Sequence, residues 1–518
     1  MVTEDFSTRA TTVMSQKTDI DKVLDLFTEP LSADMHDRHA IAIDRLCRNN
    51  SNGFAIRDLP SVQQVLELSL ALARDGKEEF IGPVCRLFGI LSMPFQRRTS
   101  TDEYKMLSNI TELLSCIGGV FTTDTPTSIQ LIATEMLREF ATANGRRPVM
   151  NSPSETPPEA MPFARQYHTN QGSISRSSLV PSLVTGIRST LYDCHDEIIR
   201  CLVLLTLDIS YTKENCDQLV DSGLLYLFPK LFETDACQPI MLEIVNLLWN
   251  VLENMSGEIN LTEVPQGIQP SAGDAEKCSP LAVQLAHVLM PLWSTLLNTG
   301  YRSDDKELRN EVLIIMSLLA KDEIFQVALH EQGFVSLGLE ALRCGLGEGG
   351  AFKSMAVTSP DLNFELTCLL CTAITDICQH DECLKEALDG GLLHLLLLPL
   401  RDSQICSTSP WNADQQAWIL RQALHCLSSL VPRCGKSFIE LGGVEMVVRF
   451  IEETEDEGLL LIAISIVHMS AQSDQHLGKA FGDANVMKAL METYGGSTVC
   501  DEARAGAALA MAAICTGE

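Results

Sequence analysis

The chain has 518 residues, of which 46% are apolar and only 6% aromatic, and its 68 acidic and 38 basic residues leave a formal charge of -30. Such a balance excludes nucleic acid as a natural partner, because neutralising phosphates needs a basic stripe that the sequence lacks. Anionic lipid and the acidic tails of tubulin are disfavoured for the same reason, and basic protein segments are the favoured company.

The eighteen cysteines lack the short, even spacings of a disulfide scaffold, and many, such as Cys85, Cys201 and Cys426, lie in apolar helical runs. That usage suits a reducing compartment. The first twenty residues have neither a basic start nor an apolar signal core, and Val2 excludes N-myristoylation. The apolar runs GLLHLLLLPL and GLLLIAISIVHM are shorter than the roughly 20 residues that cross a bilayer. The expectation is a soluble intracellular protein with no membrane contact.

In chain order, residues 1–18 carry no periodic pattern and are expected to be disordered or extended. From 19 to 143 the apolar residues recur at helical spacing, as in Ile20, Val23, Leu24 and Phe27, then Val62, Val65 and Leu66 after Pro60 in a first turn. Further helices are expected around Phe80 to Leu91 and Tyr104 to Ile117. The segment 144–181 is rich in proline, serine and glycine and is expected to be a long exposed loop.

From 182 to 518 one unit recurs: an apolar-striped helix, a glycine corner, a second such helix and a longer third. It is plainest at Glu214 to Ser256 and returns around Gly333, Gly391 and Gly443. The intervals exceed the roughly 40 to 47 residues of an armadillo or HEAT unit, the first being wide enough for two. The excess falls in three insertions, 253–280, 344–363 and 401–416. The fold class is therefore all-α, an armadillo/HEAT-like α-solenoid with several loop insertions. At its far end, Ala503 to Cys515 forms a small-residue helix with almost no polar face. Such an end is expected to continue into more chain or to be covered by a partner.

Site chemistry is sparse. Gly435-Lys436-Ser437 lacks the strand and the earlier glycine of a phosphate loop, and the glycines of 344–350 follow a helix without opening one. Cys368, Cys371, Cys378 and Cys383, with His380, approach a zinc ligand count, but read as one helix they share its buried face. Asp193, Cys194, His195 and Asp196, also read as helical, cannot face one another as nucleophile and base. His394 and His425 lie in apolar helices and are expected at core or boundary positions. No catalytic residue, cofactor or metal is expected.

Trp249 is the most informative single residue. Armadillo proteins that hold extended peptides carry a tryptophan with an asparagine four residues on in each inner helix. Here position 253 is glutamate, and EVLIIMSLLA, LLCTAITDIC and LSSLVP have no tryptophan. The ladder is absent, so Trp249 is expected as a core anchor between repeats. The other reading pairs it with Glu253 to grip a partner's lysine or arginine.

The phrases RDLPSVQQVLELSLAL (57–72), LSMPFQRRTSTDE (91–103), NLLWNVLEN (246–254), DDKELRNEVLIIMSLLA (304–320), NFELTCLLC (363–371) and WNADQQAWILRQALHCLSSLVP (411–432) stand in an order that resembles the cilia- and flagella-associated protein 69 family. The likeness runs over roughly 55 to 450, and its members are considerably longer than this chain. The resemblance implies a structural scaffold in the C1 microtubule projection of the central apparatus of motile cilia and flagella. Its implied partners are other projection proteins, docking through basic helices or tails, with at most a minor tubulin contact. The alternative is a soluble armadillo-type peptide receptor in the cytoplasm.

Overall fold

The computed structural model describes residues 18–28, 33–51, 53, 54, 58–96, 111–122, 124–142, 161–193, 195–256, 261, 280–355, 360–401, 411–496 and 500–516. Among them the regular structure is helical, with no strand. The N-terminus expected to be disordered or extended, 1–18, lies outside these residues except for Thr18. Two compact units, 1–256 and 257–518, divide the chain. The repeat span expected from 182 to 518 runs across that division.

In the first unit, α1 (Asp19–Phe27) opens on a capping box in which Thr18 and Asp21 each accept the other's backbone N–H. Then follow α2 (Ala33–Asn49), α3 (Leu59–Arg74), α4 (Ile81–Gln96), α5 (Thr111–Gly118) and α6 (Thr127–Thr142). The unit ends with α7 (Met161–Ser175), α8 (Leu179–Asp193), α9 (Asp196–Ile209), α10 (Lys213–Asp221), α11 (Phe228–Glu233) and α12 (Met241–Asn254). Helices α4, α6, α9 and α12 stack side by side as one layer. Each buries apolar residues at helical spacing, as Ile198, Leu202, Leu205 and Ile209 do in α9.

Helix α7 corrects the loop expected over 144–181. Its buried face includes Tyr167, Asn170, Gln171 and Ile174, so half of the stripe is amide and invisible to apolar periodicity. Those amides bond to backbone instead of water. Asn170 Nδ2 donates to Phe140 O at 2.8 Å, and Gln171 Nε2 donates to both Ala141 O and Asp208 O at 3.1 Å. They satisfy carbonyls at the ends of α6 and α9 that have no intrahelical partner.

The second unit holds α13 (Leu281–Thr299), α14 (Ser303–Leu319), α15 (Glu323–Glu331), α16 (Phe334–Leu346), α17 (Pro360–Ile377), α18 (Asp381–Asp389) and α19 (Leu392–Arg401). It continues with α20 (Ala413–Glu440), α21 (Gly443–Glu453), α22 (Glu457–Ser473), α23 (Gln475–Asp483), α24 (Val486–Gly495) and α25 (Asp501–Thr516). Here the layer is α14, α17, α20, α22 and α25. Gln326 in α15 repeats the device of Gln171, donating to Ala320 O at 2.5 Å and Asp376 O at 3.5 Å. Arg343 spans to Gly390 O, and Arg433 Nη1 donates to Cys378 O at 2.5 Å, so long cations tie successive repeats at their corners.

Helix α13 adds a second correction. It is the one described helix long and apolar enough, by length and composition, to cross a membrane. Its Leu285, Ala286, Leu289, Trp293 and Leu297 are fully covered by protein, which is how a core helix spends its apolar face. In α25, the alanines 503, 507, 510 and 513 are buried while Leu509 stays 57% exposed.

The corners explain the glycine signature. Gly223, Gly333 and Gly391 have φ of +85°, +77° and +88°, which L side chains rarely adopt. At the fourth corner Gly442 carries the positive φ, +72°, and Gly443 follows it. Gly443 is needed for space, since a Cβ there would strike the Phe438 ring. A fifth corner has Asn485 at φ +60° and escaped a search for glycines. Around Gly391 a Cβ would meet only Arg343 Nη2 at 3.9 Å, so Gly391→Ala costs backbone strain alone, about 1–2 kcal/mol. Urea denaturation is expected to show that loss, and Asn485→Gly no loss.

Candidate protein-binding surface

The stacked layer of each unit turns one face of every helix away from the core, and these faces are where a partner can bind. In the first unit that face on α12 includes Trp249, half-buried, and Glu253, exposed one turn further on. Asn250 Nδ2 donates to Ser210 Oγ at 3.0 Å and Asn254 Nδ2 to Asn250 O at 2.9 Å, which fixes α12 against α9. Asp217 closes the end of α12 by accepting from Ser256 N–H and Oγ, and those two bonds hold its carboxyl below the usual range. Trp249, expected as a core anchor, is thus only half-buried. That role belongs to Trp293 in the second unit, fully buried and stacked on Phe334 at 5.3 Å.

In the second unit the missing-ladder argument needs correction. LSSLVP is only the middle of α20, which starts at Ala413 and carries Trp418, 50% exposed, with Gln422 one turn on. The first turn had been assigned to the insertion 401–416. Asn412 and Gln415 form a capping box there, and that pair of residues was the available signal. Beside it, Trp411 Nε1 donates to Gly345 O at 2.9 Å and its ring meets Phe364 at 5.8 Å, which sets the start of α20 against α17.

The other sequence candidates are distributed through the fold. Cys368 and Cys371 lie in α17, Cys378 beyond its end and Cys383 in α18, so they span a corner and not one helix as expected. All four are buried; Cys383 Sγ lies 3.6 Å from His380 Nδ1, and Cys378 Sγ donates to Cys383 O at 3.8 Å. Burial pushes the Cys368 and Cys378 thiols up to about 12 and Cys383 to about 11, the reverse of a poised nucleophile or metal ligand. Asp193 ends α8 and Asp196 starts α9, with His195 between them, so this set marks a corner and not a helix face. Gly435, Lys436 and Ser437 lie inside α20. His394 is half-buried and His425 exposed. Among the described residues no group of three or more His, Cys, Asp and Glu gathers to hold a metal.

The buried charges serve structure. Arg309 donates to Asn310 Oδ1, Asn363 Oδ1 and Leu362 O between α14 and α17, and burial pulls it down to about 10 against the opposing pull of Glu365. Asp376 is pushed up by burial, opposed by the hydroxyl of Ser317, which donates to it at 2.5 Å. Both join neighbouring helices of the layer.

Layers of stacked helices joined at left-handed corners define an armadillo-type α-solenoid, a class whose business is holding other proteins. A crystal structure of an engineered protein shares this fold, with a TM-score of 0.53 over 97% of this chain and 100% of that one at 16% identity. The family model "Cilia- and flagella-associated protein 69, ARM repeat" matches residues 18–458, and the chain belongs to that family. Cilia- and flagella-associated protein 69 of Papio anubis is 21% identical over 444 residues, covering 85% of this chain. Those of Homo sapiens and Mus musculus are 20% identical, over 85% and 84% of it. The chain spans 44% of the length of the baboon and human proteins.

Proposed function

We propose that the chain is a structural scaffold of the axoneme and not an enzyme, seated in the C1 projection of the central apparatus, where it holds neighbouring projection proteins and supports ciliary and flagellar motility. The observation that carries this reading is the continuous layer of inner helices in each unit, which offers a long face for partners. The family and the chain's charge of -30 give that face its setting and its preference for basic helices or tails. In the first unit Trp249 and Glu253 are one such docking point for a lysine or arginine. Tubulin contact is minor. The test is extraction: a tagged chain made in motile ciliated cells stays with demembranated axonemes at low salt and leaves at high salt. Loss with the detergent-soluble fraction would defeat the scaffold reading.

Trp418 with Gln422 on an inner helix favours a second reading, a soluble armadillo-type peptide receptor of the cytoplasm. Release on detergent treatment, with reversible binding of an extended peptide, is its expected outcome.

A further inference from the structure

In the second unit, α20 packs between α17 and α22, and its Trp418 is half exposed where these helices begin. A large aromatic ring left this open on a layered face is unusual, because burying it would contribute more than any other side chain of the layer. The ring is not idle. The guanidinium of Arg421, one turn on, lies 6.0 Å from its centroid and reaches Asp456 at 3.9 Å. Gly458 provides the room, since a Cβ there would meet Arg421 Nη2 at 3.1 Å and Asp456 Oδ1 at 3.2 Å.

Both contacts of Arg421 stand at the outer limit of their kind, and Arg421 and Asp456 are 40% and 49% exposed. An aromatic face holds a cation within about 6 Å. A solvent-exposed ion pair contributes little and is easily exchanged. So the ring and the carboxylate already accept a guanidinium, but the one supplied in the chain fits loosely. The first turns of α20 and α22 add Asp414 and Glu457, and that of α17, which packs on α20, adds Asp361. Part of that charge answers the positive ends of the three helices, each equivalent to about half a charge. The remainder still favours a cation.

We propose that Trp418 and Asp456 form a docking site for an arginine or lysine side chain on a basic segment of a partner protein, and that Arg421 holds the place until the partner displaces it. The site deepens the scaffold reading and rests on it, for it names where a basic tail is gripped. An aromatic wall, a carboxylate and a clearing made by glycine suit the flat guanidinium better than an ammonium, so arginine is the preferred occupant.

The test uses the 518-residue chain and a fluorescein-labelled peptide of alternating arginine and glycine, read by fluorescence anisotropy at several salt concentrations. Trp418→Ala, which changes no charge, is expected to weaken binding about tenfold. Trp418→Gln is expected to behave alike, and since the ring is half exposed both variants stay folded with only a small drop in melting temperature. Arg421→Ala is expected to tighten binding about threefold in the wild-type background and by clearly less when Trp418 is already alanine. Equal affinity of wild type and both Trp418 variants would overturn the proposal, as would an Arg421→Ala gain that is undiminished without the ring. Extraction of the wild-type chain from axonemes tests the scaffold separately, so either idea can fail while the other stands.

Discussion

Raising the pH from neutrality to about 11 is expected to unfold the protein, well before a helical chain with few thiols would yield. The cause is burial of thiols. Cys47, Cys116, Cys216, Cys368, Cys378 and Cys434 are each pushed up to about 12, and Cys237 and Cys383 to about 11, with desolvation of the thiolate the largest cause in every case. In the unfolded chain the same groups lose their protons near 8.5. Between those values the folded state binds more protons than the unfolded one, so stability falls as pH rises. The contribution is complete below about pH 8.5 and disappears as the pH climbs toward the folded values.

Two cations work the other way. Lys306 is pulled down to about 8 by burial and by Arg309, and Arg309 to about 10 by burial, so above those values their neutral forms favour the folded state. They are two groups against eight. A shift of three units corresponds to about 4 kcal/mol, so a few thiols together match the roughly 5–15 kcal/mol by which proteins are stable. Circular dichroism at rising pH, under reducing conditions, is the measurement, with thiolate absorption recorded alongside. Thiolate signal should appear together with loss of helix. A chain that keeps its helix while most thiols ionise would show that these sulfurs are not buried as described.

What the sequence disclosed followed from which residue types carry one meaning. The corners at Gly223, Gly333 and Gly391 were visible because a positive φ almost demands glycine there, and the flanking helices bury plain apolar stripes. The same geometry at Asn485 was hidden because asparagine is also common in ordinary turns. Helix α7 was hidden by chemistry: Asn170 and Gln171 look like loop residues until the carbonyls they serve are in place. The boundary at 256 falls inside the insertion 253–280, and an insertion reads the same whether it lies within one array or between two units. At the candidate surface, Trp249 and Trp418 were both legible as letters. Their exposure was not, because it depends on where α20 begins, and the polar residues Asn412 to Gln416 resemble the tail of an insertion.

Trp293→Ala is expected to cost about 3–5 kcal/mol, and Trp249→Ala only about 1 kcal/mol. The sequence favoured Trp249 as an anchor because the tryptophan–asparagine ladder of peptide-holding armadillo proteins was absent and aromatics contribute much to packing. Trp293 instead fills the second unit from α13, with no exposed surface, stacked on Phe334 at 26° between planes, in a helix that also buries Leu289, Leu296 and Leu297. Removing it leaves a cavity lined by residues of two helices that cannot close around it without breaking their own contacts. Its indole Nε1 has no hydrogen-bond partner among the described residues, so Trp293→Phe removes that donor together with part of the ring and is expected to cost far less than alanine, about 1 kcal/mol. Urea denaturation of the three variants orders them: Trp293→Ala well below the rest, Trp293→Phe and Trp249→Ala close to the parent. Equal losses for Trp293→Ala and Trp249→Ala would return the anchor to Trp249, because only a residue enclosed on all sides converts its whole area into stability.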